Sequence, residues 1–206
     1  VVSGHTHYAY ACERAAANGA RRLLTSAGRY GAFVTDIRLR WDPASRQVIG
    51  MTTANVPVTT AGDGVPEVKR IVDRYVAAAA PAAARVVGRL AGPAPNSEFD
   101  DETPAANLIA DAQFAATRSP EKGGSQAGFM NGGGVRTTLT PDADGRISFG
   151  QVFELQPFGN ALVVVELTGT QLKRVPEQQF TEESYAPGAR SRLLVPSANF
   201  AFDYDL

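Results

Sequence analysis

A single cysteine, Cys12, stands among 206 residues. It excludes an internal disulfide and says little about the compartment. The chain has no apolar run long enough to span a bilayer. It lacks an excess of either charge, with a formal net charge of -1, so nothing in it reads as a nucleic-acid footprint. It carries only two histidines, and both fall in one short stretch. Alanine is plentiful but forms no internal repeat, and no signal peptide is visible. Val1 already sits inside a motif, so the chain reads as a piece of a longer one, with any targeting segment upstream. Its length suits one large domain or two small ones.

What is there centres on Asn131-Gly132-Gly133-Gly134-Val135-Arg136. This run follows Ala127–Met130, which reads as the buried end of a strand. Three consecutive glycines cost backbone entropy. A tight loop whose bare backbone lets a ligand approach would account for them. Asn131 offers a donor and an acceptor, and Arg136 a rigid fork of donors. Such a loop suits an anion or a polar ring; a sharp turn with a solvated arginine would read the same way. Further on, proline and glycine frame an aromatic ring in Pro157-Phe158-Gly159-Asn160. Phe158 is either a core plug or a flat wall for a ligand base.

The chain opens on Gly4-His5-Thr6-His7. Two imidazoles one residue apart at the mouth of a strand can address neighbouring metal ions, or can simply be exposed loop histidines. Metal chemistry needs further donors, and neither Asp36 nor Asp63 has a spacing that marks it as a ligand. Strands are expected over 21–26 and 32–39, with a turn at Arg29-Tyr30, and over 47–51 after an Asp42-Pro43 turn. A helix begins at Pro66 and runs to about Ala80, with Val68, Ile71, Val72, Tyr75 and Val76 on one face and Pro81 ending or kinking it. Thr103 and Pro104 start a second helix, to about Thr117. Leu108, Ile109 and Ala112 point inward, with Ala105 at the margin. Asn107 is taken as solvating a helix side rather than bonding a loop, and Asp111 as ordinary. Capping boxes at Ser148/Gln151 and Thr168/Gln171 open two more helices. In the second, Pro176 forces a kink or a stop at Val175. Strands are expected over 161–167, 192–195 and 199–204.

These motifs together resemble the 5'-nucleotidase family, including its periplasmic UDP-sugar hydrolase type. Gly4–His7 is similar to the last metal-binding motif of that family's calcineurin-like metallophosphoesterase domain, and Ala27–Gly31 to the end of that domain. Residues 103–112, 131–136, 147–160 and 167–172 resemble the second domain in order and spacing. The resemblance implies an α/β fold: a mixed sheet with helices of the 5'-nucleotidase C-terminal kind, preceded by the terminal strands of a four-layer metallophosphoesterase sandwich. Residues 1–60 would be the remnant of the first domain, 61–92 a linker helix and connector, and 93–206 a truncated substrate-binding domain.

The resemblance also implies roles. His5 and His7 would approach two divalent ions (Zn, Mn, Mg or Ca). Asn131, Gly133 and Arg136 would hold the substrate, and Phe158 would form one side of an aromatic clamp on the base. The parent would hydrolyse nucleoside 5'-phosphates or nucleotide sugars and would be exported. Its catalytic histidine lies upstream, so this piece mainly binds the nucleoside and is inactive alone. A non-catalytic nucleotide-binding module and a structural relic of the fold are the alternatives. Two departures from the family pattern bear on them: Phe99 replaces an arginine common in members, and Pro176-Glu177 replaces Leu-Glu.

Overall fold

The computed structural model describes residues 1–62, 64–97, 102–180 and 193–203. They form two compact units, Val1–Val68 and Lys69–Leu206.

The first unit consists of two antiparallel ribbons. β1, Ala9–Ala15, pairs with β2, Arg21–Ala27, and β3, Phe33–Asp42, pairs with β4, Gln47–Pro57. β1 is not among the expected strands, because its small and charged residues carry little strand signal. The expected turn at Arg29-Tyr30 is present, with left-handed backbone at Gly28, Tyr30 and Gly31. Asp42 closes the β3–β4 hairpin by accepting from the backbone N–H groups of Ala44 and Ser45, each at 3.1 Å. Ser26 joins the ribbons: Asn55 Nδ2 donates to its carbonyl at 2.9 Å. Arg21 and Arg22 are exposed, and Arg21 pairs with Glu13 across the ribbon.

α1, Pro66–Ala83, continues through Pro81. Its apolar stripe is expected to be buried, yet Val68, Ile71, Val72, Tyr75 and Val76 are all more than half exposed. Periodicity shows that one face of a helix is apolar; it does not supply the surface that covers it.

The second unit is built on α2, Pro104–Thr117. Thr103 caps it as expected, its hydroxyl accepting from Ala106 N–H at 3.3 Å. The buried face is Ala105, Ala106, Ile109 and Ala110. Ala112, expected inside, is exposed. The face is rotated because a strand lies close against the alanines: a Cβ on Gly128 would fall 2.5 Å from the Ala110 carbonyl oxygen. That strand is β6, Phe129–Asn131, paired with β8, Leu194–Pro196. A second ribbon joins β5, Val86–Arg89, to β7, Arg146–Ser148. α3, Phe149–Leu155, and α4, Gly169–Glu177, both open on the expected capping boxes. Pro176 lies in the last turn of α4, where it removes one ladder bond, and the helix continues past Val175 to Glu177. One core cluster unites Ala94, α2, Met130, Val135, Leu139, Ile147, Leu155 and Val195.

Among the described residues, two expected strands do not appear. Residues 161–167 pair with no described strand. Their β-branched residues favour extension, but a ladder needs a partner. Residues 199–203 form a turn and an irregular segment. There Asn199 serves the turn, donating from Nδ2 to Gln126 O at 2.6 Å and accepting from Ser197 Oγ at 2.7 Å. Asp63, Phe99, Arg192 and Tyr204 lie outside the described residues.

Candidate functional site

The site grows from the end of β6. Asn131 is the last residue paired in the ribbon, opposite Leu194. Gly132–Gly134 then make one turn of 3-10 helix, closed by Val135 N–H donating to Gly132 O at 3.0 Å. None of the three glycines has a positive φ, so left-handed freedom is not what the run supplies. Small size is. A Cβ on Gly134 would strike the Met130 methyl beneath it, and one on Gly133 would meet only the Asn131 amide, at 3.8 Å. The outer rim of the turn is therefore open backbone, with the exposed Asn131 side chain beside it.

Val135 drops into the core, 4 % exposed, and Arg136 emerges. Its backbone N–H donates to Leu155 O, at the end of α3, over 2.9 Å. This bond brings the glycine turn to Gln156-Pro157-Phe158. Arg136 Nη1 donates to Gly133 O at 3.2 Å, and its guanidinium carbon stands 5.5 Å from the centre of the Phe158 ring. Phe158 is half exposed, so it is no core plug. The Met130 sulfur underpins both arms, with Gln113 Nε2 at 3.2 Å and Gln156 Nε2 at 3.5 Å. The result is a cation and an aromatic face presented together beside open backbone. Such a set suits an anionic, flat ligand.

Three supporting residues take roles other than those expected from the sequence. Asn107 does not merely solvate its helix: Nδ2 donates to Pro196 O at 3.2 Å and to Glu102 Oε1 at 2.6 Å. One turn on, Asp111 Oδ1 accepts from Ala198 N–H at 2.7 Å. The spacing of four residues on one helix face was the available signal. Asn96 Nδ2 donates to Val135 O at 3.2 Å, and nothing in its polar, proline-led segment marked it. Elsewhere in this unit a cavity of about 630 Å³ runs along α4, lined by Leu172, Pro176, Phe180, Phe200 and Phe202 among others. Asn131, Arg136 and Phe158 do not line it.

The histidines belong to the first unit. His5 and His7 both have left-handed backbone, φ 66° and 64°. That conformation is strained for a side chain with a Cβ, and such strain concentrates at functional turns. The His7 ring lies 6.0 Å from that of Tyr30, over which the Arg29 guanidinium sits at 5.1 Å. Imidazoles are suitable metal donors. Among the described residues, however, no group of three or more histidine, cysteine or acidic side chains could hold a metal ion.

Residues 83–206 match the family described as 5'-nucleotidase, C-terminal domain. The chain is 28 % identical over 196 residues to the trifunctional nucleotide phosphoesterase protein YfkN of Bacillus subtilis, covering 92 % of this chain and 13 % of YfkN. It is 28 % identical over 163 residues to endonuclease YhcR of the same organism, covering 78 % of this chain and 13 % of YhcR. The chain therefore spans about an eighth of the length of each. A solved structure, the 5'-nucleotidase precursor of Thermus thermophilus, superposes with a TM-score of 0.68 at 23 % identity, over 95 % of this chain and 40 % of that one. That likeness supports the α/β fold. On the family match, which takes in the glycine turn, Arg136 and Phe158, this chain belongs to the 5'-nucleotidase C-terminal domain family.

Proposed function

We propose that the chain is the nucleoside-binding part of a metal-dependent phosphoesterase that hydrolyses nucleoside 5'-phosphates or nucleotide sugars. The carrying observation is the Arg136–Phe158 pair at the glycine turn. Phe158 offers a face on which a nucleobase stacks, and Arg136 offers rigid donors to phosphate or ribose oxygens. Asn131 and the open backbone at Gly133 orient the sugar or base by hydrogen bonds. In this reading residues 93–206 form the substrate-binding domain, residues 61–92 connect, and residues 1–60 end a metallophosphoesterase domain.

His5 and His7 would each hold a divalent ion of the parent, together with donors outside the described residues. When bound, the two ions supply charge that polarises the phosphate ester. With two imidazoles alone, residues 1–206 turn over no nucleotide at a useful rate. The parent is exported in this reading, which rests on the family resemblance. Among the described residues, no helix is long and apolar enough to cross a membrane.

A second reading is a nucleotide-binding module without chemistry. Calorimetric titration of AMP, adenosine and UDP-glucose into the chain tests the first claim. Binding of AMP that weakens at least about tenfold in Arg136→Ala supports it, and unchanged affinity in Arg136→Ala or no binding by the wild type overturns it. Chelator-sensitive phosphate release by residues 1–206 alone would refute the assignment of chemistry to the parent.

A further inference from the structure

We propose that Asn96 is a positioning residue that holds Arg136 against Phe158. Its value for ligand binding rests on the nucleoside reading above; its effect on Arg136 does not. The carbonyl of Val135 and the N–H of Arg136 belong to the same rigid peptide plane. Asn96 Nδ2 donates to the oxygen of that plane at 3.2 Å, and Leu155 O accepts from its nitrogen at 2.9 Å. Held at both ends, the plane cannot rotate without losing a hydrogen bond. Its orientation fixes the direction in which the Arg136 side chain leaves the backbone, and so its approach to the Phe158 ring.

Asn96 is itself locked. Its backbone N–H donates to Thr138 Oγ1 at 3.0 Å, and its Oδ1 accepts from Thr103 Oγ1 at 3.1 Å. Thr103 is buried, at 5 % exposure, and is the N-cap of α2. The flanking residues add two anchors: Ala94 exchanges backbone bonds with Leu139, and Ala105 N–H donates to Pro95 O at 3.0 Å. The Asn96 amide therefore couples the start of the most buried helix to the peptide that aims Arg136. A guanidinium held in place loses less conformational freedom when a phosphate binds, so the coupling raises affinity by pre-organisation. Both amide atoms are used, one as donor and one as acceptor. A carboxylate could keep the bond from Thr103 but not the one to Val135.

The test uses the whole chain with Asn96→Ala and Asn96→Asp; the aspartate keeps the acceptor for Thr103 should the alanine variant fail to fold. The first readout needs no ligand. In the NMR spectrum the Arg136 Nε–H and δ-protons are displaced by the Phe158 ring current, with Phe158→Leu as the reference for zero. Both Asn96 variants should move these signals most of the way to the reference. The second readout is AMP affinity, expected to fall about three- to tenfold, and to fall no further when Asn96→Ala is added to Arg136→Ala. A merely structural Asn96 would lower the melting temperature, leave the ring-current shift in place and add its loss to that of Arg136→Ala. Either of the last two results overturns the proposal. If the wild type binds no AMP, the nucleoside reading falls, while the ring-current shift still decides whether Asn96 positions Arg136.

Discussion

Residues 1–68 and 69–206 treat their apolar side chains differently. In the first unit, among the described residues, Leu23 is the one buried apolar side chain, while Val34, Leu39, Trp41 and Ile49 are each more than half exposed. In the second, Ile109, Met130, Val135, Leu139, Ile147, Leu155 and Val195 meet in one cluster. The ribbons are held by backbone ladders and by the Asn55–Ser26 bond. The second unit is held by side-chain packing. A ladder specifies which residues face each other; a core also fixes where a turn stands in space. Accordingly the glycine turn lies above buried Met130 and is tied to α3, whereas the histidine turn closes on a local backbone bond, Thr6 N–H to Gly4 O at 2.8 Å, with left-handed backbone at His5 and His7.

Truncation in each unit should give the largest contrast. Ile109→Ala is expected to cost about 2–5 kcal/mol, and Ile49→Ala no more than about 0.5 kcal/mol. Denaturant melts followed by helical circular dichroism and by Trp41 fluorescence would measure both, since the single tryptophan lies in the β3 strand. Similar losses for the two would break the contrast. Next comes the close approach of β6 to α2. Gly128→Ala would press a methyl against backbone, the Ala110 oxygen, and should cost about 1–3 kcal/mol, while Gly133→Ala, which meets only the Asn131 amide at ordinary contact distance and needs no unusual φ, should stay within about 0.5 kcal/mol. An equal penalty at Gly133 would mean that the rim of the turn is occupied.

The smallest effect is electrostatic. Asp142 closes the turn before β7, and its carboxyl is held below the usual carboxylate range by the Arg146 side chain first, then by the backbone N–H groups of Arg146 and Asp144. Its folded pKa lies below its unfolded one. The stabilisation is therefore complete above the unfolded value and is lost as pH falls through the folded one. Asp142→Asn should lower the melting temperature by no more than about 2 °C at neutral pH, given its exposed position, and by nothing in strong acid. A larger loss in acid than at neutrality would reverse that assignment.

Much of this was legible in the chain itself. Thr103 with Pro104, and the Ser148/Gln151 and Thr168/Gln171 pairs, announced three helix starts, because a cap depends on residues only three positions apart. The glycine turn and the Pro157–Asn160 loop were equally visible. Other features were not. The stretch 161–167 has every local mark of a strand, yet pairs with no described strand. Ala105, not Ala112, faces inward because Gly128, far along the chain, sets which alanines are covered.

By itself, then, the sequence determined the caps, the turns and the residue types available to the site, all of which depend on neighbours within a few positions. Only the tertiary structure decided that Arg136 stands over Phe158, that Asn107 and Asp111 hold the turn after β8, and that Asn96 reaches the peptide before Arg136. Those contacts join residues 22 to 89 positions apart. No local preference encodes them, because each exists only where packing of the core brings two distant backbones within hydrogen-bond or van der Waals reach.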